Sequence, residues 1–240
     1  MRIAVVGASG GFGSLAVRLI EGSDDLELYA GLGSADSLDQ IAGAEVVFDA
    51  TRYEVSRSVV ETAQRLGIPT VVATSGWSAE RIATLPATDT PLLIVPNFSL
   101  GSTISTLLAR LAAPYFDTVE VVETHHAGKL DSPSGTAIRT AELIAAARSA
   151  AGRQDSVPGS GQEARGQEIA GIPVHSLRQH GVHAEQRVVL GRAGESVRIE
   201  HVTTSNESYA DGILLALRKV SGMPGLTVGL DALLELPGIV

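Results

Sequence analysis

The chain has no cysteine, which excludes disulfides, thiolate metal sites and a cysteine nucleophile. It also has no run approaching the about 18 uninterrupted apolar residues that a membrane-crossing helix needs. The opening MRIAVVGASGG lacks the basic region and apolar core of a secretion signal and reads as a strand entering a turn, so the expectation is a cytoplasmic protein with no membrane partner. Basic residues are few: 18 Lys plus Arg against 27 Asp plus Glu, a formal charge of −9. A nucleic-acid binder needs a basic face to neutralise phosphates, so no nucleic-acid partner is expected. The same shortage obliges any site for an anion to build its positive potential locally. Carboxylates and six histidines remain as metal ligands. His180-x-x-His183, in a Gly-containing link between strand-like runs, does not make a ligand pattern, and no metal is expected.

The 240 residues suffice for one large domain or two modest ones, and 44% hydrophobic with 19% charged residues is the make-up of an ordinary globular chain. Arg2–Val6 is almost wholly apolar, as befits a strand buried on both faces of a parallel sheet. From about Phe12 to Glu21 the apolar spacing turns helical. Strands are predicted at Leu26–Ala30, Glu45–Ala50, Pro69–Ala73 and Leu92–Val95, with helices at Ser37–Ala42, Ser56–Leu66 and Glu80–Leu85. Such alternation means βαβ units and an open, Rossmann-like parallel sheet, an α/β fold.

After Pro96-Asn97-Phe98 the character changes. A helix starts near Ser102, Thr118–Thr124 alternates as a strand, and Thr136–Ala150 is an Ala-rich helix. The stretch 155–167, rich in Gly, Ser and charge, predicts a mobile loop. Ile172–Arg178, Ala184–Leu190 and Ser196–Val202 read as strands, and short links such as Arg192-Ala-Gly-Glu195 favour antiparallel hairpins. This second domain is thus expected to be α+β, with a mixed, largely antiparallel sheet. The apolar helix Tyr209–Val220 is expected to return to the first domain.

Two motifs carry chemistry. Gly7-Ala8-Ser9-Gly10-Gly11-Phe12-Gly13 joins the first strand to the first helix. Glycines there let the backbone approach a pyrophosphate, whose charge the amides of a helix N-terminus hold. The second is Glu123-Thr-His125-His126-Ala-Gly-Lys129-Leu-Asp131-Ser-Pro133-Ser134-Gly135-Thr136, between a strand and a helix. Ser134 or Thr136 suits a helix cap, and the unpaired N–H groups beyond it suit a carboxylate. Lys129 adds a full positive charge. Adjacent histidines in extended backbone point different ways, so His125 and His126 divide their labour between proton transfer and anion binding. Ala73-Thr74-Ser75-Gly76 and Pro96-Asn97-Phe98-Ser99 follow two more strands, at the ends where ligands bind in open α/β sheets; their small and polar residues suit a nicotinamide. Singly, each feature has a plainer reading as a tight turn, a polar strand end or an ordinary cap. Their conjunction in one chain is what points to an enzyme.

The His125-His126-x-x-Lys129-x-Asp131-x-Pro133-Ser134-Gly135-Thr136 string resembles the signature of the dihydrodipicolinate (4-hydroxy-tetrahydrodipicolinate) reductase family. The order of the other elements agrees along essentially the whole chain, as does the closing Pro224-Gly-Leu-Thr-Val-Gly229. The resemblance implies an oxidoreductase using NADPH or NADH on a small dicarboxylate in diaminopimelate and lysine biosynthesis. It implies His125 and Lys129 as catalytic groups, and His126, Ser134, Gly135 and Thr136 as substrate-binding. Gly7 to Phe12, Ala73 to Ser75 and Val95 to Phe98 would bind cofactor. It further implies a homotetramer, with 1–98 and 208–240 as the dinucleotide-binding domain and 99–207 binding substrate and building the tetramer.

There are departures. Family members often carry an acid after the second strand; here Gly33-Ser34 stands, with Asp36 slightly beyond, leaving NADH or NADPH preference open. The usual Asp-Phe-Thr-x-Pro is Asp49-Ala-Thr-Arg-Tyr53, and Ala-Gly after His126 suggests a looser loop. Two alternatives stand: a paralogous reductase of another cyclic dicarboxylate, separable by a synthase-coupled assay, and a non-catalytic NAD(H) sensor, against which His125 and Lys129 count.

Overall fold

The computed structural model describes residues 1–153 and 162–235. They divide into two compact units, one of Met1–Leu100 with Tyr209–Glu235 and one of Gly101–Ser208. Chain order in the first begins β1 (Arg2–Val6), α1 (Gly11–Glu21), β2 (Glu27–Leu32), β3 (Val46–Asp49), α2 (Tyr53–Leu66), β4 (Thr70–Val72), α3 (Ala79–Ile82) and β5 (Leu92–Ile94). Ile3, Ala4, Val5, Val46, Val47, Phe48, Val71, Val72 and Leu93 have no exposed surface, which is why these runs carry no polar alternation. Each fully buried Val, Ile, Leu or Phe contributes about 1.5–3 kcal/mol relative to exposure.

The second unit holds α4 (Leu100–Ala112), β6 (Thr118–His126), α5 (Gly135–Ala150), β7 (Gln167–Ile169), β8 (Ile172–Gln179), β9 (Ala184–Arg192) and β10 (Glu195–Thr203). Ala137, Ala141 and Ile144 of α5 join Val119, Val121, Ile172, Val174, Val188 and Leu190 of the sheet in one core. The sheet order is β10-β9-β6-β8-β7. The β9–β10 hairpin closes at Arg192 and Glu195. In contrast, β8 and β9 are not neighbours: β6 lies between them, antiparallel to β9 and parallel to β8. The reason is the crossover helix. A parallel pair cannot close through a tight turn, and α5 supplies the long connection that a β6–α5–β8 unit requires. Of the loop expected at 155–167, residues 155–161 lie outside the described residues; from 162 the chain forms a 3-10 turn at Glu163–Arg165 and enters β7 at Gln167.

The chain then returns to the first unit with α6 (Ala210–Lys219) and β11 (Leu226–Val228), completing a parallel sheet of order β11-β5-β4-β3-β1-β2. Ile213, Ala216 and Leu217 of α6 enter the core formed with Leu15, Ala16 and Ile20 of α1. Gly212 permits a close approach: a Cβ there would lie 1.9 Å from the Phe98 carbonyl oxygen.

Candidate functional site

The predicted residues fall into two groups, one in each unit. In the first, Gly7 follows β1 with φ +82, and its N–H and that of Ala8 donate to Leu32 O of β2 at 2.9 and 3.1 Å. A Cβ on Gly13 would sit 2.0 Å from Gly7 O, so the glycine pair lets α1 start directly on the turn. Gly10 caps α1 without a side-chain hydrogen bond, and Ser9, Gly10 and Gly11 are exposed. The first-turn N–H groups have no intrahelical partner, so this cradle fits a pyrophosphate. Phe12 packs on Phe98 and Tyr209, with ring centroids 5.8 and 5.0 Å away. Beyond β2, Asp36 Oδ2 accepts the Gly33 N–H at 2.7 Å, placing an acid at this strand end after all.

The ends of β3 and β4 meet around Asp49, which is fully buried. It accepts hydrogen bonds from Thr51 Oγ1 (2.6 Å), Thr51 N (3.1 Å), Thr74 Oγ1 (2.9 Å) and Ser56 Oγ. Burial raises its carboxyl above the usual carboxylate range, against these donors. Thr74 also accepts the Thr51 N–H at 2.9 Å, so its hydroxyl is turned inward. Ala73 is half-buried and Ser75 exposed. In the loop after β5, Val95 and Phe98 are core residues, Pro96 is exposed, and Asn97 Oδ1 accepts the Ser99 N–H at 2.9 Å.

In the second unit, the motif straddles the end of β6 and the start of α5. Alternation along β6 puts Glu123 and His125 on one face and the exposed His126 on the other. His125 Nδ1 lies 2.5 Å from Oε2 of Glu123, which has no exposed surface. Arg178, opposite His125 on β8, bonds both Glu123 oxygens through Nη1 at 3.2 and 3.0 Å and Oε1 through Nη2 at 3.2 Å. Burial pushes the Glu123 carboxyl up; His125, Ser176 and Arg178 facing it prevail and bring it to about 2.

Lys129, one of only two lysines in the chain, is paired through Nζ with both Asp131 oxygens at 2.8 Å. Its carbonyl accepts Arg178 Nε at 3.3 Å and that of Asp131 accepts Nη2 at 2.5 Å, so the loop expected to be loose is tied to β8. Ser134 caps α5, its hydroxyl accepting the Ala137 N–H at 3.2 Å, while its own N–H donates to Glu123 Oε1 at 3.2 Å. Gly135 is exposed, with open space beside it, and Thr136 is half-buried in the first turn.

Glu123 and Arg178 belong to this cluster, and neither is assigned a role by the sequence alone. Glu123 was traceable, since a residue two before His125 on a strand shares its face. Arg178 had no sequence signal: only the β6–β8 register brings it there.

Comparison with known proteins places the chain. Family profiles for "Dihydrodipicolinate reductase, N-terminus" and "Dihydrodipicolinate reductase, C-terminus" match residues 1–98 and 100–234. A 4-hydroxy-tetrahydrodipicolinate reductase of Clavibacter michiganensis subsp. michiganensis is 48% identical over 98% of this chain and 87% of its own length. That of Streptomyces coelicolor is 44% identical over 98% of each. The structure of dipicolinate-bound dihydrodipicolinate reductase from Paenisporosarcina sp. TG-14 superposes with a TM-score of 0.81 at 27% identity, covering 98% of this chain and 99% of that one. The chain belongs to the dihydrodipicolinate reductase family of NAD(P)H-dependent oxidoreductases.

Proposed function

We propose that the chain reduces 4-hydroxy-tetrahydrodipicolinate to tetrahydrodipicolinate, with loss of water, in diaminopimelate and lysine biosynthesis. The observation that carries this reading is the cluster of His125, Lys129 and the α5 N-terminus at one end of the second unit's sheet. When bound, NADH or NADPH supplies hydride to ring C4. The chain's own residues do the rest. His125 delivers a proton to C3. The N–H groups of Gly135 and Thr136 and the Ser134 hydroxyl hold one substrate carboxylate at the positive end of α5. Lys129 exchanges Asp131 for the substrate and adds the cation that an acidic chain must supply locally. His126, on the opposite face of β6, completes the anion contacts. The dipicolinate carried by the Paenisporosarcina relative has the planar, two-carboxylate shape this arrangement suits.

In the first unit, the Gly7–Phe12 cradle holds the pyrophosphate, and Ala73–Ser75 with Val95–Phe98 line the nicotinamide side. The unit of Met1–Leu100 with Tyr209–Glu235 serves as the cofactor domain and that of Gly101–Ser208 as the substrate and assembly domain. A cytoplasmic homotetramer built through that second domain is the assembly we favour. Supporting it, β10 is a nine-residue edge strand with Val197 and Val202 exposed, an edge that association would cover.

The test is oxidation of NADH and of NADPH with substrate freshly made by dihydrodipicolinate synthase. Turnover with either coenzyme supports the reading. A folded, coenzyme-binding protein that turns over neither moves the activity to another cyclic dicarboxylate.

A further inference from the structure

A proton donor must present one defined ring nitrogen, and here two groups outside the substrate contacts select it. We propose that Glu123 and Arg178 are positioning residues for proton transfer. The carboxylate fixes which nitrogen of His125 meets substrate, and the guanidinium joins that carboxylate to the Lys129 loop. The inference rests on His125 being the proton donor.

The argument begins with burial. A carboxylate without solvent exposure persists as an anion only when its lone pairs are filled by strong donors. Glu123 has them on both oxygens: Oε1 takes Arg178 and the Ser134 N–H, while Oε2 takes His125 Nδ1 and Arg178 Nη1. An ionised carboxylate only accepts, so Nδ1 is the N–H end of the ring and Nε2 is the nitrogen that exchanges the proton with substrate. With its carboxyl near 2, Glu123 does not take the proton itself. Protonated His125 donates from Nε2 to carbon and is left neutral, its Nδ1–H bond to Glu123 unbroken. The ring's charged partner is Glu123 on its own strand, joined in turn by Arg178 of β8, while β9 sets the uncharged Ala184 opposite His125. Through its bonds to the Lys129 and Asp131 carbonyls, Arg178 makes histidine orientation and loop placement a single arrangement.

Nitrogen-15 NMR of histidine-labelled wild-type protein tests the tautomer without substrate or substitution. Neutral His125 should carry its proton on Nδ1; an Nε2–H tautomer overturns the proposal. Glu123→Gln then tests the consequence. We expect kcat to fall about a hundredfold, within the range that general acid catalysis contributes, with substrate KM and the NADH Kd unchanged. Glu123→Asp should recover part of the loss. Unchanged kcat, or no recovery with Glu123→Asp, would overturn the positioning role. Wild-type protein with the Nδ1–H signature but no turnover would sink the reductase reading alone.

Discussion

Asp49 and Glu123 are both fully buried carboxylates near the C-terminal ends of strands, one in each unit, and they are held in opposite ways. Asp49 meets hydroxyls and a backbone N–H, all neutral donors, and burial prevails: its carboxyl lies above the usual range. Glu123 meets a guanidinium fork and an imidazole, and they prevail over burial. The lesson is that neutral hydrogen bonds satisfy a buried carboxylate's geometry without holding its charge, whereas a cation does both. Accordingly, the Asp49 network ties the turns after β3 and β4 together, while the Glu123 network keeps an anion fixed beside His125.

The largest effect should come from removing the cation. Arg178→Ala leaves Glu123 buried without its main counter-charge, and should cost about 3–5 kcal/mol in urea unfolding. A much smaller loss would mean that Glu123 is not held by the fork, and the contrast with Asp49 would collapse. The pH dependence of stability should sharpen it. Glu123's carboxyl lies below its ordinary 4.5 in the folded state, so its contribution is complete above 4.5 and is lost as pH falls toward about 2. It amounts to something on the order of 3 kcal/mol. Asp49's carboxyl lies above its ordinary 3.8, so the folded state holds that proton more tightly and stability declines as pH rises from 3.8 through the raised value. Glu123→Gln should therefore flatten the acid side of a Tm–pH curve, and Asp49→Asn the side above it. Identical curves for both variants would erase the distinction.

How much of this was legible in the sequence follows from how local each feature is. The apolar runs of β1, β3 and β5, the glycine turn and the Ser134 cap are written in neighbouring residues, and they could be read. The position of β6 between β8 and β9 is a long-range pairing, which short links between neighbouring strands do not reveal. Arg178 depends on that same register. The inward turn of Thr74 depends on Asp49, 25 residues earlier, and a strand-end Thr-Ser reads equally well facing either way.

That inward turn gives the next, smaller prediction. Thr74→Val removes one donor from Asp49 and one acceptor from the Thr51 N–H, a loss of about 1–3 kcal/mol by the usual cost of an unmade buried hydrogen bond. Because the hydroxyl is engaged inside the unit, the NADH Kd from fluorescence titration should stay near wild type. A large rise in Kd at unchanged stability would mean that the hydroxyl leaves Asp49 to serve the coenzyme.

A third strand-end carboxylate completes the series, and it is exposed. Asp36 folds back on the Gly33 N–H at 2.7 Å, just past β2, where dinucleotide folds hold the adenosine ribose. Its charge is exposed and, among the described residues, has no cation paired with it, so it remains available to repel a 2′-phosphate. Asp36→Asn keeps an oxygen for the Gly33 N–H and discards only the charge. Stability should change by less than about 0.5 kcal/mol, as for most surface substitutions. The ratio of the NADH to the NADPH Kd should nevertheless shift several-fold toward NADPH. A changed Tm with an unchanged ratio would make Asp36 a turn residue like Asp49; the reverse would make it a reader of charge, with the ribose bound at this turn rather than beyond it.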